Sequence, residues 1–85
     1  MYIIVISPCA KKDVKLIKLS KYYGKYKELL LKISQDPYAP GDNFKVMSGK
    51  IPETFSRRIS LKHRLVYVVD EDIITIEIVR CWGHY

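Results

Sequence analysis

The chain is poor in the residues that staple a fold or span a bilayer. It has two cysteines, Cys9 and Cys81, with neither a CxxC nor a paired spacing. Its two histidines, His63 and His84, do not complete a convincing four-ligand zinc set with them, and no metal or cofactor is expected. The spacing gives no support to a disulfide, and buried free thiols are the simpler expectation. No apolar run approaches the ~20 residues of a membrane span. The run Tyr2-Ile3-Ile4-Val5-Ile6 is too short for a signal peptide and leads to Lys11-Lys12 rather than a cleavage site. A cytoplasmic protein with no membrane partner is expected.

Acidic residues are also few. Nine Asp and Glu stand against 15 Lys and Arg, for a net charge of +6 and a pI near 9.4. That imbalance points to an anionic partner, with general solubility as the plainer alternative. The apolar share, 48%, is that of a globular protein. Eighty-five residues make one domain, 1–85, which at this size buries only about 60% of its unfolded surface.

The residues present alternate between helix and strand patterns. Residues 2–6 read as a buried strand, ended by Ser7-Pro8, a helix cap and a first helical position. Ala10, Val14 and Ile17 then fall on one helical stripe, which Leu16 and Leu19 widen. Lysines 11, 12, 15 and 18 fill the other face. They suit a solvated surface, an acidic partner or RNA equally well. The pattern breaks over residues 20–24, with Gly24 as a helix stop or kink. A second helix carries Tyr26, Leu29, Leu30 and Ile33 and ends before Pro37. Residues 37–42 are a loop, 43–48 a strand and 49–52 a turn.

The last thirty residues organise the rest. Residues 54–61 alternate, with Phe55, Arg57, Ile59 and Leu61 on one face and Ser56, Arg58 and Ser60 on the other. Two further strands, 64–69 and 73–80, meet at Asp70-Glu71-Asp72. An even loop of two or four residues places Leu65 and Tyr67 with Ile74, Ile76 and Ile78 on one apolar face. Arg64 then projects from the opposite, solvent-reachable face, near Glu77 or Val79. The expected fold is α+β, β-α-α-β-β-β-β: an antiparallel twisted sheet with an N-terminal helical hairpin on one face.

Arg58 and Arg64, on adjacent strands, make a phosphate-binding patch if both face outward. Alternatively each pairs with a carboxylate such as Glu53 or Glu77. Arg57 shares the face of Phe55 and Ile59, which favours a structural part. His63 points away from Arg64 and reads as structural too. Trp82 is an apolar anchor for the chain end, and an anchored His84 can carry a proton.

Ser56-Arg57-Arg58-Ile59, His63-Arg64-Leu65-Val66-Tyr67 and Arg80-Cys81-Trp82-Gly83-His84-Tyr85 resemble the hallmark segments of the Txe/YoeB toxins of type II toxin–antitoxin systems, within the RelE/ParE superfamily. The resemblance covers nearly the whole chain. It implies an endoribonuclease that enters the 30S A site of the ribosome and cuts the mRNA codon there. The implied chemistry is metal-independent attack by the 2′-OH. It also implies a cognate YefM-like antitoxin, and a homodimer stays open. By position, Arg64 is the transition-state cation, His84 the proton donor, Tyr85 its neighbour and Arg58 a substrate-binding cation. Lys45 stands where the family usually has a glutamate, the proposed general base, so an impaired or altered nuclease is implied, with Glu53 the nearest carboxylate in sequence. The expected catalytic set is Arg64, His84, Tyr85 and Lys45. The expected RNA-binding set is Arg58, Arg57 and Lys50. The alternatives are a non-catalytic RNA-binding protein and a ParE-like toxin that inhibits a topoisomerase.

Overall fold

The computed structural model describes residues 1–47, 49 and 52–83. Strand β1 (Ile3–Ile6) leads through Ser7 into a 3-10 turn, Pro8–Ala10. Pro8 takes the first helical position as the sequence indicates, but the Ser7 hydroxyl closes no cap and lies 3.0 Å from Cys9 Sγ. Helices α1 (Lys11–Lys18) and α2 (Tyr23–Gln35) follow. Ser20 makes the break between them, since its hydroxyl donates to the Ile17 carbonyl and accepts from the Tyr22 amide. Gly24, expected to stop a helix, lies in the first turn of α2 instead.

Strands β2 (Lys45–Met47), β3 (Thr54–Arg58), β4 (Arg64–Asp70) and β5 (Thr75–Arg80) pair antiparallel in sequence order. The sheet order is β1-β5-β4-β3-β2, and β1 lies parallel to β5. The sheet is therefore mixed rather than wholly antiparallel. No hairpin links β1 to β5, so nothing forces that pair into the antiparallel sense. As an edge strand, β1 is also less buried than its sequence suggests. Ile4 and Ile6 pack on the core, while Ile3 and Val5 are 63% and 41% exposed.

The parity argument for the β4–β5 hairpin holds. Asp70 pairs with Thr75, so residues 71–74 form an even loop, and Tyr67 and Val69 face Ile78 and Ile76. Two details differ. Ile74 leaves the strand with a left-handed φ of 49° and is largely exposed. The four-residue loop sets the register, so Val68 rather than Arg64 opposes Glu77, and a bulge follows further along at Val66/Tyr67.

One face of the sheet carries the helices. Ile17 of α1 and Tyr26, Leu29 and Ile33 of α2 pack on Phe55, Leu65, Tyr67, Ile76 and Ile78. Burying each such aliphatic side chain stabilises the fold by about 1.5–3 kcal/mol. Leu16, Leu19 and Leu61, expected to extend the apolar faces, are exposed instead; α1 ends at Lys18 and β3 at Arg58, so Leu19 and Leu61 lie beyond their elements. Cys81 is buried as expected, and its thiol is pushed up to about 12 by burial and then by Asp13. Cys9 is exposed, contrary to expectation.

Candidate functional site

The face of the sheet turned away from the helices carries Lys45, Ser56, Arg58 and Arg64. Cross-strand register decides this: Lys45 opposes Ser56, and Arg58 opposes Arg64. Two like charges placed opposite each other destabilise an antiparallel pair. Their partners among the described residues are oxygens without formal charge. Arg64 Nε donates to Ser56 Oγ at 2.7 Å, and its Nη2 donates to the Asn43 carbonyl at 2.8 Å. The Asn43 amide is oriented by its donors: its oxygen accepts from Arg58 Nε at 3.2 Å and Nη1 at 2.9 Å. No described carboxylate forms an ion pair with either arginine. Glu53 and Glu77 thus do not neutralise them.

Arg58 is exposed as expected, but Arg64 is only 8% exposed. Burial, and then the charge of Arg58, hold its pKa below the usual value. Arginine starts high enough to remain charged near neutral pH.

Arg57 corrects an expectation. Expected among the RNA-binding cations, it is fully buried under the loop that joins α2 to β2. Its Nε donates to Tyr67 Oη at 2.9 Å, and its Nη atoms donate to the Pro37, Ala39 and Gly41 carbonyls. Asp42 adds a carboxylate oxygen at 3.4 Å, and the Phe44 ring centroid lies 4.6 Å from the guanidinium carbon. Alternation along β3 sends Arg57 inward and Arg58 outward, so neighbouring arginines do opposite jobs.

Asp42 and Asn43 are the residues that sequence reasoning missed. Both have left-handed φ, 55° and 51°, which Asp and Asn tolerate better than bulkier residues. The Asp42 carboxylate collects Lys25, Lys32 and Arg57, while its carbonyl accepts from the Arg58 amide at 2.7 Å. The signal available was Gly41-Asp42-Asn43, a tripeptide of turn formers. Burial works to raise the Asp42 pKa, but the hydrogen bonds and charges of Lys32 and Lys25 outweigh it and hold it below the usual carboxylate value. A depressed pKa contributes stability above the unfolded value, and that stability is lost as pH falls through the folded one. Urea midpoints at pH 7, 5 and 3 are therefore expected to converge for the intact chain and Asp42→Asn on acidification. Parallel loss in both would remove Asp42 as the responsive group.

Trp82 and Gly83 are tied to the same place. The Gly83 amide donates to His63 Nδ1 at 2.8 Å, and the Gly83 carbonyl accepts from the Arg64 amide at 3.1 Å. The Trp82 ring stacks on His63 at 3.9 Å between centroids. His63 is thus structural, and Trp82 anchors the tail, as the sequence indicated. Gly83 has φ of 96°, a conformation that a side chain would strain. The peptide bond after Gly83 begins from the carbonyl held on Arg64. His84, Tyr85 and Lys50 lie outside the described residues.

Lys45 is exposed on this same face. Glu53 lies elsewhere: its charge reaches Tyr38, whose phenol pKa is raised by burial first, then by Glu71 and others including Glu53. Tyr38 packs edge-on against Phe55, at 5.4 Å between centroids, on the helix-covered side. The open face also has an acidic end. A cleft of about 600 Å³ at the β4–β5 turn is lined by Asp70, Glu71, Asp72 and Glu77 among others, against about 350 Å³ beside Arg58. The larger cleft repels polyanions, so an anionic partner favours the smaller, cationic end in spite of its size.

A profile of the YoeB-like toxins of bacterial type II toxin–antitoxin systems matches residues 11–85. The chain belongs to the YoeB toxin family. Its fold is similar to that of a YoeB/ParE toxin from Agrobacterium tumefaciens, with a TM-score of 0.87 at 24% identity over 98% of this chain and 99% of that one. The YoeB dimer from Staphylococcus aureus is 32% identical, with a TM-score of 0.83 over 99% of this chain and 98% of that one. A heterotetrameric YoeB–YefM complex from the same organism is also 32% identical, with a TM-score of 0.79 over 100% and 99%. No curated protein sequence matches the chain significantly. The family expected from the Ser56-Arg57-Arg58-Ile59 and His63-Arg64-Leu65-Val66-Tyr67 segments is the family found, and the chain is a toxin of a toxin–antitoxin system.

Proposed function

We propose that this YoeB-family toxin is a ribosome-dependent mRNA endonuclease of the cytoplasm, cutting in the A-site codon and restrained by a YefM-like antitoxin. The observation that carries the reading is the Arg58–Arg64 pair on the open sheet face, with the Gly83 carbonyl on the Arg64 amide. In the metal-independent reaction the ribose 2′-OH attacks the adjacent phosphorus. The 5′-oxygen leaves, giving a 2′,3′-cyclic phosphate and a 5′-OH. Arg64 offsets the charge that develops on the phosphorane oxygens. His84, one peptide beyond Gly83, donates the proton to the leaving oxygen, and Tyr85 supports it. Arg58 and Lys50 hold flanking phosphates. The acidic segment of an antitoxin fits the same cations.

Lys45 sets the rate. It brings no carboxylate to the place where the family's general base is implied, so the 2′-OH proton passes to solvent without a positioned base. A positioned general base usually contributes about 10²–10⁴ in rate. Primer extension on an mRNA threaded through programmed ribosomes tests this. The intact chain is expected to cut slowly in the A-site codon, Lys45→Glu to cut faster, and a chain lacking residues 84 and 85 not to cut. The exposed Lys45 also favours a second reading, an RNA-binding protein that does not cut. Binding without cleavage by the intact chain and by Lys45→Glu would select it. Growth inhibition without either would point to a topoisomerase.

A further inference from the structure

The outward arginines do not hold themselves in place. Arg58 is exposed, opposes another cation and pairs with no described carboxylate, so left alone its guanidinium would sample many rotamers away from Arg64. One residue prevents this. Asn43 uses its backbone carbonyl for Arg64 Nη2 and its side-chain oxygen for Arg58 Nε and Nη1. Its left-handed backbone, held by the Asp42 carbonyl on the Arg58 amide, lets one residue offer both oxygens to the same face. Neither oxygen carries a formal charge, so the two guanidiniums are oriented without being neutralised.

The donors that remain show what this achieves. Arg64 is fixed through Nε and Nη2, leaving Nη1 with no partner among the described residues. Arg58 is fixed through Nε and Nη1, leaving Nη2. Each guanidinium is held through two nitrogens and keeps the third as a donor for a phosphate oxygen. A carboxylate at position 43 would grip as well but would cancel part of the charge.

From this geometry we infer that Asn43 is a positioning residue for RNA: it sets Arg58 against Arg64 so that the pair receives one phosphodiester. The inference deepens the nuclease reading above and rests on it. The orientation itself can be tested apart from cleavage.

Asn43→Gly keeps the left-handed backbone and the carbonyl to Arg64 but removes the amide that grips Arg58. Asn43→Asp keeps the accepting oxygen. In 1H–15N spectra of the full chain, the Arg58 Nε–H signal is expected to be protected from exchange in the intact protein and in Asn43→Asp. It is expected to be lost in Asn43→Gly, while the Arg64 Nε–H, bonded to Ser56, persists in all three. A misplaced catalytic or binding group can cost on the order of 10²-fold in rate. Asn43→Gly is therefore expected to lower kcat/KM for ribosome-bound mRNA by roughly 10- to 100-fold with Tm little changed. It is expected to cost almost nothing further in an Arg58→Ala background, since non-additivity marks action through Arg58. An unchanged Arg58 signal in Asn43→Gly, or full additivity with Arg58→Ala, overturns the inference. An intact chain that shows the protected Arg58 signal but neither cuts nor binds ribosome-bound mRNA overturns the nuclease reading, and the role in RNA positioning with it.

Discussion

Arg57→Met is expected to lower the melting temperature by well over 10 °C, the largest stability loss of any single side chain outside the aliphatic core. The expectation follows from what the guanidinium holds. It is fully buried and donates to the Tyr67 hydroxyl, to the Pro37, Ala39 and Gly41 carbonyls and to Asp42. The Tyr67 hydroxyl itself donates to the Pro37 carbonyl at 2.6 Å. Methionine fills much of the same volume and supplies no donor. The Ala39 carbonyl loses its donor, while Pro37 keeps the Tyr67 hydroxyl, Gly41 the Phe44 amide and Asp42 two lysines; each hydrogen bond to a charged donor contributes about 1.5–3 kcal/mol, and a buried acceptor left unpaired costs about 1–3. A domain of this size has a total stability on the order of 4–13 kcal/mol, and each kcal/mol is worth about 4–8 °C in Tm. Arg57→Lys should recover little, because one ammonium cannot reach three carbonyls that a planar fork spans. Thermal denaturation followed by circular dichroism decides it. A drop under about 4 °C for Arg57→Met would mean that the loop stands without Arg57.

That clamp also shows where sequence reading reached and where it stopped. Period-two alternation along β3 was enough to send Arg57 inward and Arg58 outward, because parity is a local property of an extended chain. The same parity gave the even loop between β4 and β5 and joined Tyr67 to Ile76 and Ile78 on one face. Parity says nothing of what fills the space above a buried arginine. Apart from the Tyr67 hydroxyl, its acceptors come from residues 37–42, at least fifteen positions upstream, and depend on the path of a loop whose own sequence signals only turns.

The failures share a physical origin. Burial of β1 was overread because a run of isoleucines and valines fits a central strand and an edge strand alike. The solvent-reachable Arg64 was overread because sequence does not reveal that Ser56 and Asn43 engage its Nε and Nη2. The expected Glu77 neighbour of Arg64 was lost because the loop runs to four residues, 71–74, and parity allows two or four alike. Asn43 escaped notice because its importance lies in a left-handed backbone and two tertiary contacts. The family segments pointed to Arg58 and Arg64 as candidates, since motif residues are legible without their surroundings.

In the proposed nuclease, Arg64→Ala is expected to lower the single-turnover cleavage rate by about 10²–10³, the usual consequence of deleting one preorganised donor at a site of developing charge. The protein should remain folded. Arg64 faces Arg58 across the strands, and burial together with that charge already disfavours its ionised form, so its removal also removes a repulsion. Tm is expected to move by only a few degrees, in contrast to Arg57→Met. A phosphate that docks between the two guanidiniums relieves the same repulsion, which makes the unliganded cost part of the binding design. Arg64→Lys separates charge from geometry. Lysine keeps the cation but has no Nε for Ser56 and no second nitrogen for Asn43, so the charge is no longer fixed, and a loss of at least about tenfold is expected even with charge conserved. Primer extension under single-turnover conditions, with Tm measured on the same preparations, separates the effects. Cleavage by Arg64→Ala within tenfold of the intact chain would place the transition-state cation elsewhere on the open face, with Arg58 and Lys45 the next to test.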